Sequence, residues 1–411
     1  MNKTRLRKYA RLIAKVGVNV QAGQEVIVHA ELDQPEFVGM VVEECYKLGA
    51  SRVSVEWSYQ PLTRSHVKYC SPEVLGSLET WQVAKWERQT EVIPCKIYLM
   101  SEDPDGLDGI DHKKYAAAMA SRAKIIKPIR EKMENKYQWC IAAVPGREWA
   151  KKVFPSMRVG AAIERLWEAI LDTSRVADDP VLEWEKHNAE LQKRCDYLNS
   201  LGLKKLKYKS ACGTDLVVGL CEGVLFAGGG EYALGSGIYF NPNIPSEEIF
   251  TSPMRGEAEG IVYSSKPLAY NGALIENFSI RFEDGRAVEA HAERGEEVLR
   301  ELIAMDEGAA YLGECALVPY TSPIRESGIL FYNTLFDENA ACHLALGRGF
   351  TNLYSGYENM TESEIHERGI NDSIVHEDFM IGTSDLSITG VTADGKEIAI
   401  FRDGEWAFNA F

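Results

Sequence analysis

The spacing of apolar and polar positions changes character near residue 203. Before that point helical and strand-like spacing alternate. MNKTRLRKYARLIAKV predicts an amphipathic helix through 16, followed by a strand at 25–30, a helix over 36–48 and a strand at 52–57. The apolar strand cores, VIVHA and later CIAAVP at 140–145, are short runs bounded by polar turns, as expected for a sheet covered by helices on both faces. Two longer helices follow. One, over 159–171, carries Ile163, Leu166, Trp167 and Ile170 at helical spacing; the other, over 181–198, carries Leu182, Trp184, Leu191 and Leu198 among charges. After 203 the segments become Gly-rich and strand-like: LKYKSACGTDLVVGL, EGVLFAGGGEYALGSGIYF, GEAEGIVYSS and ALIENFSIRFEDGRAVEAHA. EDG at 283–285 marks one hairpin and GKEIAIFRDGEWAF near the C-terminus another, with one amphipathic helix over 293–305 between them. The pattern predicts an α/β domain over 1–203 and a mixed, mainly β (α+β) domain over 204–411.

Length agrees with two domains, since 411 residues exceed what one core usually holds. The excess of 61 Asp and Glu over 45 Lys and Arg gives a net charge of -16, which repels nucleic-acid backbones and anionic lipid. The same field favours cationic ligands, although an acidic balance more often serves only solubility. Nine cysteines with no C-x-x-C pair give neither a disulfide framework nor a zinc ribbon, and point to a reducing, cytoplasmic setting. The basic opening lacks the apolar run of a secretory signal, and no stretch approaches the ~20 apolar residues that cross a bilayer.

Four of the eight histidines, at 291, 343, 366 and 376, lie in the second half, which directs the search for cation-binding chemistry there. In Ile374–Met380 the order His376-Glu377-Asp378 would place His376 and Asp378 on one face of a strand and Glu377 on the other. Alone, such a pair is more often a surface contact or a structural hydrogen bond than a ligand pair. His343 sits among small and apolar residues after Asp337 and Glu338, which suits a neutral, metal-binding imidazole and equally a core histidine bonded to backbone. Glu247 and Glu248 lie in NPNIPSEEIFTSP, a segment stiffened by prolines. Glu314 enters the apolar run ECALV, where a buried acid needs a partner unless it marks an exposed strand end.

These segments occur together, in this order, in the aminopeptidase T and aminopeptidase S family of metalloaminopeptidases, which the chain resembles. The resemblance rests on CGTDLVVGL at 212–220, NPNIPSEEIFTSP at 241–253, GECALVPYTSPI at 313–324, SGILFYNTLFDENAACHLALG at 327–347 and VHEDFMIG at 375–382. It is looser in the first half. It implies a two-metal site with Glu248, Glu314, His343, His376 and Asp378 as ligands, an N/O donor set that suits zinc, cobalt or manganese. It also implies hydrolysis of N-terminal residues from short peptides with a free N-terminus, a homodimer, and a first domain serving access and assembly. Glu247, beside a ligand, is the candidate proton carrier. One position departs from the pattern: Phe350 stands where the family commonly has Tyr, so that Tyr354 or Tyr357, or a water, would have to supply the missing hydroxyl.

Three other readings compete. A nucleotide-binding protein is suggested by Gly228–Gly230 and Gly235–Gly237, but neither cluster has G-x-G-x-x-G between strand and helix or a G-K-[ST] loop, and turn glycines account for both. An inactive relative acting as a binding module gains weight from Phe350. Another metal-dependent amide hydrolase could use the same ligands.

Overall fold

The computed structural model describes residues 2–270 and 273–408, which form two compact units: Met1–Glu185 with Gly230–Pro245, and Lys186–Gly229 with Ser246–Phe411. In the first unit the strands Glu25–Glu31, Arg52–Ser58, Cys95–Met100 and Trp139–Ala143 pair in parallel, and the short strand Asn243–Ile244 adds to the Trp139–Ala143 edge. Helices Lys3–Leu12, Pro35–Lys47 and Val159–Thr173 begin and end within a few residues of the spacing-based expectation. Their apolar stripes meet in an aromatic cluster, with Tyr9 stacked on Phe37 at 5.4 Å and Phe37 against Trp167 at 5.1 Å between ring centroids. The buried Tyr9 hydroxyl donates to the Ala143 carbonyl and accepts from the Ala143 N–H, both at 3.2 Å, so burial leaves it satisfied.

The polar residues of this sheet form a cross-strand row. His29 lies opposite both Glu56 and Tyr98, stacked on the Tyr98 ring at 4.7 Å. Two residues before Tyr98, on the same face, Lys96 is 2% exposed, its ammonium between the rings of Trp86 (4.7 Å) and Tyr137 (4.8 Å). Burial, reinforced by Arg130 and opposed by Glu56, lowers its pKa from 10.5 to about 8. Because the folded state gives up this proton before the unfolded chain does, the contribution of Lys96 to stability rises with pH between about 8 and 10, against the buried thiols, whose raised pKa values act in the opposite direction. Lys96→Met, which keeps the volume, is expected to remove that rise and to stabilise the protein at pH 7 by about 1–3 kcal/mol, the ring faces offsetting part of the desolvation cost. Urea titrations of both proteins at pH 7 and 9.5 check this; equal slopes of stability against pH would refute it.

The second unit holds two largely antiparallel sheets. One runs Leu268–Tyr270, Ala273–Glu283, Pro253–Tyr263, Asp215–Leu220, Leu203–Lys209, Ser387–Thr392, Glu397–Arg402, Glu405–Trp406, with Arg286–Arg294 also paired to Ala273–Glu283. Its hairpin at Asp284–Gly285 takes two consecutive positive φ values, 48° and 75°, as a tight right-twisted turn requires. The other sheet runs His376–Met380, His343–Gly347, Leu312–Leu317, Ile249–Thr251, Ala227–Gly228. The glycines at 229, 235 and 237 have positive φ at turns.

Candidate metal centre

Register and alternation in the five-stranded sheet assign each side chain to a face. Glu314 lies opposite Ala345, and Ala345 opposite Asp378, so two acids flank a methyl group in one row. Ala316 lies opposite His343 and Phe250; Gly347 lies opposite His376. Residues two apart share a face, so Glu314, His343, His376 and Asp378 project together, joined by Glu248, two positions before Phe250. The intervening residues, Ile249, Cys315, Leu317, Leu344, Leu346 and Phe379, enter the hydrophobic core behind the sheet. One face anchors the sheet and the other carries the polar groups. Gly313 sits at the bulge before Glu314, where a Cβ would fall 2.4 Å or less from the carbonyl oxygens of Gly347 and Arg348.

The five side chains form two groups that share Glu314: Glu248, Glu314 and His343, and Glu314, His376 and Asp378, with the donor atoms of each group within 4.8 Å of one another. His343 Nε2 lies 3.2 Å from Glu248 and 4.0 Å from Asp378; His376 Nε2 lies 3.1 Å from Glu314 and 3.5 Å from Asp378. Each imidazole turns its other nitrogen to a carbonyl, His343 Nδ1 to Ala341 at 3.1 Å and His376 Nδ1 to Arg348 at 2.7 Å. A carbonyl can only accept, so Nδ1 donates to it; a carboxylate likewise accepts, so Nε2 either carries a second proton or offers its lone pair to a cation.

Lone pairs facing anions repel unless a proton or a cation lies between them. The titration behaviour shows this conflict. Burial lowers the His343 pKa, but its bond to Glu248 and the charges of Glu248, Asp378 and Glu314 outweigh that, and it ends well above the ordinary imidazole value. For His376, burial is likewise outweighed by Asp378 and Glu314. Glu314 is pushed up to about 7 by burial and by Asp378 and Glu248, against its bond to His376. Asp378 moves down, because the two imidazoles outweigh burial. Its Oδ1 is buried without a hydrogen-bond partner. An N/O donor set with concentrated negative charge and an unsatisfied buried oxygen is chemistry that divalent cations resolve.

Other residues singled out in the sequence lie elsewhere. The Glu247 carboxylate is 3.9 Å from His187, while its backbone N–H donates to Asn339 Oδ1 at 2.7 Å. His291 is near Glu296, and His366 near the Ile370 carbonyl. Phe350 stands against His376, ring centroids 5.0 Å apart, with Phe250 on its other side at 5.1 Å. The Tyr354 hydroxyl accepts from Arg368 at 2.9 Å, and its ring packs with Cys221, Ile365, Ile370 and Tyr357 in a separate apolar cluster. Tyr354 is therefore committed to packing rather than replacing a hydroxyl beside His376. Glu338, in the sequence only a neighbour of His343, also faces the cluster's charge: burial and the charges of Glu248, Asp378 and Glu314 raise its pKa well above the carboxylate range. Its position on a single 3-10 turn, Glu338–Ala340, carries no periodic signature that would have revealed it.

Such a cluster on one face of a sheet is a candidate metal centre, and comparison with known proteins supplies the class of chemistry. The chain belongs to the thermophilic metalloprotease (M29) family, whose model matches residues 2–406, and with it to the metallo-exopeptidases. It is 42% identical over 406 residues to aminopeptidase AmpS of Bacillus subtilis and 40% identical over 406 residues to aminopeptidase T of Thermus thermophilus, covering 98% of this chain and 98% of the relative in each case. The solved structure of wild-type AmpT from Thermus thermophilus superposes with a TM-score of 0.90 at 39% identity, covering 99% of this chain and 100% of that one.

Proposed function

We propose that this protein is an aminopeptidase that removes N-terminal residues from short peptides with two divalent cations, one held by Glu248, Glu314 and His343 and the other by Glu314, His376 and Asp378. The observation that carries the reading is the carboxylate shared by both groups. A carboxylate common to both groups would hold two cations close enough to act on one substrate. Zinc, cobalt and manganese all suit carboxylate and imidazole donors without thiolate. When bound, the cations lower the pKa of a water and polarise the scissile carbonyl.

The chain's own groups do the rest. The carbonyls of Ala341 and Arg348 fix the imidazole tautomers, and Ala345 leaves room between the two acids. The leaving amine needs a proton from a carboxyl outside the ligand set. Glu247 is adjacent to Glu248 in the chain, and Glu338 stands in the field of Glu248 and Asp378. Glu247→Gln and Glu338→Gln separate the two: the carrier is the one whose loss stops turnover while cation stoichiometry stays intact. The free ammonium of the substrate suits a protein of net charge -16. Nine free cysteines, seven of them buried, fit a cytoplasmic enzyme. The resemblance supports a homodimer, with the first unit serving access and assembly.

A panel of free and N-acetylated aminoacyl p-nitroanilides, assayed with metal-stripped protein before and after adding zinc, cobalt or manganese, tests the function. Only the free-amine substrates are expected to be cleaved, and only with metal. Cleavage of the acetylated set would make this an amide hydrolase of another kind; inactivity with metal stoichiometrically bound would make it a binding module.

A further inference from the structure

The segment bearing Glu248 reaches the site from outside regular structure, since the strand it leads into begins only at Ile249. Two side chains grip it just upstream. His187 Nε2 meets the Ser246 carbonyl at 2.7 Å, and Asn339 Oδ1 accepts from the Glu247 N–H at 2.7 Å. Asn339 is fully buried, and its amide is used at both ends: Nδ2 donates to the Leu335 carbonyl at 2.9 Å and approaches Glu338 Oε1 at 3.4 Å. The same residue lies on the turn that leads into the strand starting at His343. A single amide thus joins the peptide unit before Glu248 to the segment before His343, whose Nε2 is 3.2 Å from the Glu248 carboxylate.

We infer that Asn339 is a positioning residue for one of the two cations: it sets the separation of Glu248 and His343 through the Glu247 N–H, and so tunes the cation held by Glu248, Glu314 and His343 without touching the one held by His376 and Asp378. The inference rests on the two-cation reading. Glu247 lies ahead of the strand, and the acceptor of its N–H is a planar amide bonded at both ends, which supplies rigidity. Outer groups of this kind typically change metal affinity by about 10–100-fold.

The test uses the full-length protein loaded with cobalt(II), read by its visible absorption spectrum and by chelator competition, beside His343→Ala and His376→Ala as references for each cation. Wild type must first bind two cobalt ions; one ion only would refute the two-cation reading itself rather than the role of Asn339. With two bound, Asn339→Ala is expected to weaken by about 10–100-fold the ion lost in His343→Ala, and to leave within threefold the ion lost in His376→Ala. Asn339→Asp, whose carboxylate still accepts from the Glu247 N–H but has no Nδ2 to donate to Leu335 and Glu338, is expected to weaken the same ion by less than the alanine variant does and to leave the other within threefold. Native affinity for both ions in the alanine variant, or equal loss of both, would overturn the inference and leave Asn339 a packing residue. If the alanine variant does not fold, the aspartate variant decides: selective weakening of the His343-linked ion upholds the inference, and native affinity for both ions or equal loss of both overturns it.

Discussion

Replacing Glu314 by glutamine is expected to lower aminopeptidase turnover by about four orders of magnitude, or about 5 kcal/mol of transition-state stabilisation, and to reduce the bound metal. The size follows from its place in both ligand groups. Every other candidate ligand belongs to one group, so its loss leaves the second group whole. Glutamine keeps the shape but removes the charge, in a row where Ala345 already separates Glu314 from Asp378. The fold is not expected to suffer. In metal-free protein Glu314 resists ionisation, its pKa pushed up to about 7 by burial and by neighbouring acids, so a neutral amide relieves repulsion. Steady-state kinetics, metal analysis and thermal melts of the metal-free proteins check the three parts together. Turnover within tenfold of wild type would remove Glu314 from the centre of the site.

Stripping the cations is the second large effect, and it should change how stability depends on pH as well as abolish turnover. With Glu314 near 7 in the folded state and at its ordinary 4.5 when unfolded, the folded state holds more protons between those values. His343 and His376 are also raised, which acts in the same direction. For raised groups the stabilisation is complete below the unfolded pKa and is lost as pH climbs through the folded one. Asp378, moved down, opposes them but titrates at more acid pH. Metal-free protein is thus expected to lose about 2–4 kcal/mol of stability between pH 5 and pH 8, where only one shift is counted at its full size. Metal-loaded protein should show a much flatter profile, because the cations replace the protons and bind only the folded state. Differential scanning calorimetry with and without chelator across that range tests this; parallel profiles would mean that the cluster does not hold the cations.

The site was legible where chemistry and strand alternation coincide. His376 and Asp378 were expected on one face with Glu377 away, and the register shows that face. Glu314 was expected in an apolar strand, and every residue of Leu312–Leu317 is buried. What stayed hidden depends on contacts between distant segments. Asn243–Ile244 joins the parallel sheet of the first unit, but two residues are too few to show a period, and their sequence neighbours look like the β-rich half. The helix His112–Arg130 went unassigned because its polar and small residues leave only two positions buried, Ala118 and Ile129. Glu338 and Asn339 act through a single non-periodic turn, which no spacing rule detects.

The shared face of the five-stranded sheet also bears on how the protein reaches its native state. Its candidate ligands come from segments far apart in the chain, yet brought together at neighbouring strands of the sheet. No short peptide segment contains a complete donor set, so a nascent or partly folded chain offers a cation only fragments, and uptake waits until the strands have docked. Cations bound there would act as reversible cross-links that close several long loops at once, slowing unfolding more than they speed folding. The lifetime of the folded protein would then depend on metal supply, so that scarcity would shorten that lifetime as well as stop turnover.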